Sequence, residues 1–414
     1  MRSAMSTPAT ANIGTTVRSG PLAGVRVLEA GSLIAGPFCG QLLGDFGAEV
    51  IKIEDPGAGD PMRQWGAHKV DGLSLSWPII ARNKKSVTCN LRLEAGQQIV
   101  RNLVRESDVL IENFRPGTFE RWGLGYETLR ELNPRLVFVR ITGYGQSGPY
   151  SNRAGFGSVG EAMGGIRHLT GEPDQMPARI GVSLGDSLAG TFAALGACMA
   201  LFNRASTGQG QIVDSAIYEA VLALMESTIP EWTIAGAQRQ RTGSVLPGVA
   251  PSNVYPTGDG KDILIAANRD TVFNRLCDLM EQAELKTDPR FSTHDARGRN
   301  MIELDHLIAK WTAGSSAENI LELLHQGGVP AGRIYTAEDM LEDPHFAARN
   351  AIVRLTHDIL GDFPMQNVAP RLSATPGSVR SLGPALGQHN AEVYGQLLQM
   401  DSASLMRLTA DGVI

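Results

Sequence analysis

The chain has 414 residues, of which 43% are hydrophobic, and it carries a formal net charge of −6 at pH 7. Such a length and apolar content suffice for about two or three domains with full hydrophobic cores. The acidic balance excludes a global basic field that would hold nucleic acid or an anionic membrane. No uninterrupted apolar run approaches the ~20 residues that span a bilayer, so we expect a soluble protein with no nucleic-acid and no membrane partner.

The N-terminus and the cysteines bear on localisation. Residues 1–20 are rich in Ser and Thr, contain no acid and lack the apolar core of a secretion signal. We expect a disordered extension there, with a transit peptide as the alternative. Because Cys39, Cys89, Cys198 and Cys277 show no C-x-x-C pairing, and the histidines show no ligand spacing, we expect reduced thiols and no metal site. These features favour a cytoplasmic protein, with the mitochondrial matrix as the alternative.

Strand and helix patterns alternate from Gly24 onward. The β-rich run VRVLEAG precedes a helix-compatible stretch, IAGPFCGQLLGDFGA, and a second β-rich run, EVIKIED. This order predicts a βαβ unit. The alternation continues with strands at SVTCNL, VLIENF and LVFVRIT and with helices near 95–106 and 126–132. It predicts an α/β fold with an open, parallel, Rossmann-like sheet and helices on both faces.

The second half of the chain shows a different pattern of predicted elements. A Gly- and Pro-rich loop follows the last of these strands, and a long helix begins near Asp186. A turn-rich stretch then leads to the strand ILIAAN and to helices around 271–284 and 301–312. We expect a large domain over 21–234, a smaller α/β domain over 235–335, and a connector over 336–414 that returns to the large domain.

Residues 155–160 read GFGSVG and match the G-x-G-x-x-G spacing of dinucleotide-binding loops. A true fingerprint joins a strand directly to a helix. Here the preceding predicted strand ends at Thr142, and the intervening GYGQSGPYSNRA is too long for a tight turn. The motif therefore gives little support to a nucleotide-dependent oxidoreductase, which is the alternative from a different class of enzyme.

Asp186 is the most informative carboxylate, because it follows Gly185 at the start of the long apolar helix. One interpretation is an N-cap, which Asp forms well. The other is a nucleophile that the helix dipole keeps ionised and that attacks an electrophile.

Two basic segments, ARNKKSVTCNLR and ENFRPGTFERWG, form a second candidate site. A solvated face is the default interpretation of such segments. Both segments border predicted strand ends, however, where a phosphate-bearing ligand would lie. The cations in question are Arg82, Lys84, Lys85, Arg92, Arg115 and Arg121.

Several long segments resemble the class III CoA-transferases, the family of formyl-CoA transferase and carnitine CoA-transferase. They are PLAGVRVLEAGSLIAGPFCGQLLGDFGAEVIKIEDPGAGDPMR, RNKKSVTCNLR, SDVLIENFRPGTFERWGLGYETLRELNPRLVFVRITGYGQSGPY and, around Asp186, GDSLAG. Two others, GFGSVGEAMGGIRHLTGEPD and LPGVAPSNVYPTGDG, resemble the branch that moves CoA between succinate and other dicarboxylic acids. The resemblance implies an interlaced, ring-like homodimer.

The resemblance also implies the reaction. CoA would move from an acyl-CoA, with succinyl-CoA as the expected donor, to an acid such as malate, citramalate, mesaconate, itaconate or hydroxymethylglutarate. Asp186 would first form a mixed anhydride and then an aspartyl-CoA thioester, which divides a slow transfer into easier steps. CoA is then both substrate and covalent intermediate, and no tightly bound cofactor is expected.

Site residues follow from the resemblance by position. The expected CoA contacts are Ile34, Ala35, Cys89, Asn90, Leu91, Arg92, Asn113, Phe114, Arg115 and Arg121. The candidates for the acyl end of the site are Phe156 and Gly157, and those for the distal carboxylate are Arg153, Arg167 and Arg179.

Phe156 and Gly157 also separate the alternatives within this family. An acyl-CoA racemase of the same fold would need a His at the position of Phe156, and Phe cannot accept a proton. A 2-methylacyl-CoA racemase is therefore the weaker alternative. Many members of the family carry an acid at the position of Gly157, and we expect the missing side chain to leave room for a bulkier or more anionic acyl group.

Overall fold

The computed structural model describes residues 20–414, so the predicted N-terminal extension, apart from Gly20, lies outside the described residues. The strands in chain order are β1 (Arg26–Glu29), β2 (Glu49–Glu54), β3 (Lys69–Val70), β4 (Leu73–Ser74), β5 (Lys84–Thr88), β6 (Val109–Glu112), β7 (Val137–Thr142), β8 (Ile212–Ala216), β9 (Ser252–Pro256), β10 (Asp262–Ala266), β11 (Ala331–Arg333), β12 (Ile352–His357) and β13 (Gly361–Gln366).

The α-helices are α1 (Ala35–Asp45), α2 (Trp77–Ile80), α3 (Glu94–Arg105), α4 (Thr118–Arg121), α5 (Tyr126–Leu132), α6 (Gly157–Met163), α7 (Ile166–Leu169), α8 (Leu184–Thr207), α9 (Ile217–Leu222), α10 (Thr228–Ala235), α11 (Asp270–Leu279), α12 (His294–Arg299), α13 (Met301–Thr312), α14 (Ala317–Gln326), α15 (Ala337–Glu342), α16 (Pro344–Ala348) and α17 (Ser402–Ala410). Short 3₁₀ turns lie at Pro61–Gln64 and Ala283–Lys286, and a π-helix at Ala391–Leu397.

Six strands form one parallel sheet in the order β5-β2-β1-β6-β7-β8. Val27 of β1 pairs with Val50 of β2 on one side and with Val109 of β6 on the other. The strand order reverses between β1 and β6, as in doubly wound nucleotide-binding folds. The predicted open parallel sheet is thus confirmed. The sixth strand, β8, was not predicted, because IVDSA is too polar to be distinguished from a loop.

The sheet is covered on both faces, which explains why its strands carry apolar residues at consecutive positions. Val27 points into a core shared with α1 and α8, while Leu28 points into a core shared with α3. Among the described residues, α8 alone is long and apolar enough to cross a membrane by length and composition. Its Ala-rich face, which includes Ala189 and Ala193, is buried in the first of these cores, so it serves as a core helix.

The chain divides into two compact units. The first contains the described residues up to Glu161, Ser183–Val221 and Ala351–Ile414, and the second contains Ala162–Val182 and Leu222–Asn350. These limits differ from the predicted 21–234, 235–335 and 336–414. Residues 162–182 join the second unit because their backbone bonds to it: the Gly243 N–H donates to the Gly171 carbonyl at 3.0 Å.

The second unit has its own core. Its antiparallel sheet has the order β11-β10-β9, and Ile263 and Ile265 of β10 are fully buried. Helices α11, α13 and α14 cover this core with Phe273, Leu304 and Leu324.

Candidate active site

A cavity of about 190 Å³ lies at the carboxyl ends of β1, β2, β5 and β6. Open α/β sheets bind their ligands at this edge, where the strand order reverses. We call it the strand-end cavity. Its lining residues are Ala30, Gly31, Ser32, Ile53, Glu54, Asp55, Gly59, Asp60, Pro61, Cys89, Leu91, Arg92, Phe114 and Trp122. Four of the expected CoA contacts, Cys89, Leu91, Arg92 and Phe114, are therefore brought together here.

A buried ion network borders the strand-end cavity. Lys52 Nζ lies 3.0 Å from Glu29 Oε1 and 2.7 Å from Asp60 Oδ2, and it donates to the Gly31 carbonyl at 2.9 Å. The second oxygen of Glu29 lies 2.8 Å from Lys84 Nζ. All four charged side chains are at most 3% exposed. The network thus fixes the Gly31 backbone at the rim of the cavity.

The protonation of the network follows from its charges. Burial lowers the pKa of Lys52, but the carboxylates of Glu29, Asp60 and Glu54 outweigh burial, so the pKa lies above its ordinary value. For Lys84, burial prevails over the attraction of Glu29 and the pKa is lowered. Lys52 is consequently the firmly charged centre of the network.

Asn113 clamps the loop between β1 and α1. Its Nδ2 donates to the Ser32 carbonyl at 2.8 Å, and its Oδ1 accepts from the Ser32 N–H at 2.9 Å. A Cβ atom on Gly31 would lie 3.1 Å from this Oδ1, so the loop approaches Asn113 closely only because glycine is there. Asn113 thus shapes the rim that a ligand would meet, and its expected contact with CoA stays a prediction.

The first basic segment does not behave as a free cationic cluster. The Arg82 guanidinium lies 2.6 Å from Asp45, and Lys85 lies within 2.6 Å of two glutamates. The phosphate role that we considered for these cations is thus replaced by ion pairing within the fold. Arg92 differs, since it lines the cavity, is 76% exposed and pairs only at 3.2 Å with Asp55.

The other expected CoA contacts are close in sequence to residues that line the strand-end cavity, but they are not among its lining residues. Ile34 and Ala35 begin α1. Asn90 Oδ1 accepts from the Arg92 N–H at 3.1 Å and shapes the turn between β5 and α3. Arg115 and Arg121 are exposed, and the Arg121 guanidinium donates to Thr118 at 3.0 Å.

Trp122 is a lining residue that sequence reasoning missed. Its ring meets that of Phe114 edge-on at a centroid distance of 5.3 Å, and both rings pack near Phe119. The Phe114 N–H donates to Glu112 at 2.7 Å, and burial raises the pKa of Glu112 to about 7. The signal was available, because the Trp directly follows Arg121 in a segment already singled out.

Asp186 is the third residue of α8, and Ser183 takes the N-cap position. The N-cap interpretation of Asp186 is therefore wrong. The segment GFGSVG, expected to be a loop, opens α6 at Gly157. A Cβ atom placed on Gly157 would lie 2.2 Å from Asp186 Oδ2, so the half-buried carboxylate packs directly onto the α6 backbone. The space beside Gly157 is filled by Asp186 rather than left open for an acyl group.

The remaining acyl-end candidates are divided between the units. Phe156 is 65% exposed, and the Arg153 guanidinium lies 3.6 Å from the ring centroid of Tyr150. Arg167, on α7, and Arg179, in an exposed irregular segment, belong to the second unit.

Asp186 is linked to the rim of the strand-end cavity through Gly190. A Cβ atom on Gly190 would lie 2.7 Å from the carbonyl oxygen of Ala35, so α1 and α8 cross in backbone contact there. Gly190 follows Asp186 by about one helical turn of 5.4 Å. Ala35 directly follows the loop that lines the cavity. The cavity rim and Asp186 thus both belong to the first unit and are connected through the packed helices α1 and α8.

Comparisons with known proteins show the family of the chain. Residues 22–390 match CoA-transferase family III. The chain belongs to this family. It is 59% identical over 394 residues to the succinyl-CoA:D-citramalate CoA-transferase of Chloroflexus aurantiacus, covering 95% of this chain and 98% of the relative. Identity to the β subunit of the succinyl-CoA:L-malate CoA-transferase from that organism is 39%, with 95% and 98% covered.

The fold is also that of solved relatives. The crystal structure of a CaiB/BaiF family protein from Brucella suis matches with a TM-score of 0.80 and 37% identity, covering 92% of this chain and 100% of that one. Family membership makes the protein a CoA-transferase that acts on CoA thioesters. Within residues 20–414, no group of three or more His, Cys, Asp or Glu is arranged to hold a metal ion.

Proposed function

We propose that this protein transfers CoA from succinyl-CoA to a dicarboxylic acid, with citramalate or malate as the leading acceptors, through a thioester on Asp186. Two relatives that span nearly the whole chain are named for these acids. Mesaconate, itaconate and hydroxymethylglutarate remain in the panel of acceptors.

The reaction requires two exchanges that balance without a redox cofactor. An oxygen of the Asp186 carboxylate attacks the thioester carbonyl of succinyl-CoA, the C–S bond breaks, and CoA thiolate leaves behind a mixed anhydride. The thiolate attacks the Asp186 carbonyl carbon and releases succinate, which leaves an aspartyl-CoA thioester. A carboxylate oxygen of the acceptor then attacks this thioester, and CoA thiolate finally attacks the acceptor's acyl carbon and regenerates Asp186.

The contact between Gly190 and Ala35 carries the proposal. It places Asp186 about one turn from the helix crossing at the cavity rim. We infer that the nucleotide part of CoA occupies the strand-end cavity between Leu91 and Trp122, with Arg92 at its edge. The pantetheine arm would run past Ala35 and bring the thioester to Asp186.

The position of Asp186 suits a nucleophile. It lies in the first turn of the 24-residue helix α8, where the N-terminal end of the helix dipole favours a carboxylate. Phe156 offers no base for α-proton removal, which argues against the racemase.

A homodimer is part of the proposal. The solvent-facing side of α8 presents Phe192, Leu195, Met199 and Phe202, which are 39%, 47%, 60% and 84% exposed. Apolar faces of this kind in a single chain mark association surfaces. A second copy of the chain is the occupant that we propose, because the family resemblance implies an interlaced dimer.

Trapping of the intermediate tests the proposed function. Incubation with succinyl-CoA and no acceptor should add CoA to the peptide containing Asp186, and borohydride should reduce this thioester to an alcohol. Mass spectrometry of the digested protein measures both changes. An acceptor panel, read by the masses of the CoA esters formed, then ranks the acids.

The control is Asp186→Asn, which keeps the size of the side chain and removes the nucleophile. It should give no adduct and no transfer. Full activity of Asp186→Asn after purification to homogeneity would contradict the proposal. Uptake of deuterium from solvent at the α-carbon of an acyl-CoA, without an acceptor acid, would instead support the racemase.

A further inference from the structure

The start of α8 is held by a buried carboxylate from α6. Glu161 is 1% exposed, and its Oε1 accepts from the Gly185 N–H at 3.2 Å. Glu161 follows Gly157 by four residues, so both lie on the same face of α6. We call this contact of Gly157 and Glu161 with Gly185 and Asp186 the helix junction.

The hydrogen bond satisfies a donor that α8 itself cannot pair. The first four N–H groups of a helix have no intrahelical acceptor, and Gly185 is the second residue of α8. Ser183, at the N-cap, makes no side-chain capping bond to any described residue. The carboxyl group of Glu161 therefore takes over part of the capping role, at the helix end where a negative group is favoured.

Packing at the helix junction leaves the first turn little freedom. A Cβ atom on Gly185 would lie 3.0 Å from Glu161 Cγ and 3.1 Å from the Gly157 carbonyl oxygen. On the next residue, the carboxylate of Asp186 rests against Gly157. Two consecutive residues of α8 are thus located by two residues on one face of α6.

We propose that Glu161 is a positioning residue for the nucleophile: by holding the Gly185 amide, it fixes the first turn of α8 and with it the direction of the Asp186 carboxylate. The inference depends on the proposed role of Asp186. Glu161 acts through the backbone, so it needs an acceptor oxygen at the end of a side chain of this length, and it needs no charge.

Variants of Glu161 test this requirement. Glu161→Gln keeps both the length and an acceptor oxygen, and it should form the Asp186 thioester at nearly the wild-type rate. Glu161→Asp is shorter by one methylene and Glu161→Leu has no acceptor. Both should slow thioester formation by about 10²-fold, the cost of a misplaced reacting group. The KM for succinyl-CoA should not change, because the strand-end cavity is intact.

Ser215→Ala is the matched control. The Ser215 hydroxyl donates to the Ala189 carbonyl at 3.0 Å, so it also bonds to α8, but beyond the first turn. The measurements are single-turnover thioester formation by quenched mass spectrometry, the KM for succinyl-CoA, and the melting temperature. Ser215→Ala should lose thermal stability while it retains the rate of thioester formation.

The outcomes are distinguishable. If wild-type protein forms no thioester on Asp186, the proposed function fails. If wild-type protein forms it, and Glu161→Asp forms it as fast as Ser215→Ala does, the positioning role is wrong and the proposed function stands. Loss of the rate in Glu161→Gln as well as in Glu161→Asp would also overturn the inference, since charge rather than the acceptor would then matter. If Glu161→Leu fails to fold, the rates of thioester formation in Glu161→Gln and Glu161→Asp still test the positioning role.

Discussion

The two ends of the proposed site are built by different means. At the strand-end cavity, the backbone is held by buried charges, with Lys52 between Glu29 and Asp60. At the helix junction, the backbones of α6 and α8 approach through Gly157 and Gly185, and the Glu161 carboxyl group accepts from the Gly185 N–H. Buried ion pairs hold the loop at the cavity through long side chains. Asp186, in contrast, can pack against α6 only because Gly157 has no side chain. Substitutions at the strand-end cavity should therefore lower the stability of the protein, whereas substitutions at the helix junction should lower kcat.

The largest effect is expected at Gly157. In Gly157→Ala the new methyl group would overlap the Asp186 carboxylate, from which a Cβ atom would lie only 2.2 Å away. The carboxylate must shift, and a shift of about 1 Å can cost about 10²-fold in rate. We expect kcat to fall by that order with little change in the KM for succinyl-CoA, as measured by steady-state kinetics.

Gly160→Ala is the matched control for Gly157→Ala. It lies on the same helix, and its Cβ atom would lie 2.4 Å from Ile217 Cγ2, so the overlap is as severe but involves an apolar side chain. It should destabilise the protein and retain most of its kcat. Equal kcat losses in the two variants would show that overlap in general, rather than displacement of Asp186, limits the reaction.

The next effect concerns stability at the other end of the site. Lys52→Met leaves Asp60 and Glu29 buried without their shared cation, and removal of one partner from a buried pair costs about 3–5 kcal/mol. We expect the free energy of unfolding in urea to fall by this amount. Lys85→Met, whose pairs with Glu49 and Glu392 are partly exposed, should cost only about 0–1 kcal/mol. A cost for Lys52→Met no greater than that for Lys85→Met would contradict the account of the network.

The smallest effect is a pH dependence at His389, near the pair of Lys85 and Glu392. Burial lowers the pKa of His389 below its ordinary 6.5, against the opposing charge of Glu392. Its Nδ1 lies 3.1 Å from the backbone nitrogen of Ser86, which donates to it, so the neutral ring is the bonded form. Because the unfolded chain binds this proton more readily, the contribution to stability is present above pH 6.5 and is lost as the pH falls through the folded pKa.

His389→Asn checks this contribution, because Asn offers an acceptor oxygen near the position of Nδ1 and does not titrate. Melting temperatures of both proteins, followed from about pH 7.5 to about pH 5, should fall more steeply for the wild type. Parallel curves would exclude His389 as a source of the pH dependence.

The sequence predicts the sheet better than the site. Segments such as VRVLEAG and LVFVRIT, with apolar residues at consecutive positions, indicate buried parallel strands, because such strands bury both of their faces. The pairing of Arg82 and Lys85 could not be predicted, since their carboxylate partners come from distant parts of the chain. Gly157 stands out in the sequence, but its effect depends on how α6 meets α8. That contact is tertiary, and GFGSVG carries no signal of it.

Oxygen exchange into Asp186 tests the central claim most directly. The wild-type enzyme would turn over unlabelled succinyl-CoA with citramalate that carries oxygen-18 in its carboxylates. The mass of the peptide containing Asp186 would then be measured by mass spectrometry. The account predicts that one labelled oxygen enters the Asp186 carboxylate in each turnover, because the acceptor attacks the aspartyl thioester and the final step leaves its oxygen behind. Formation of the new CoA ester with an unlabelled Asp186 would contradict the account.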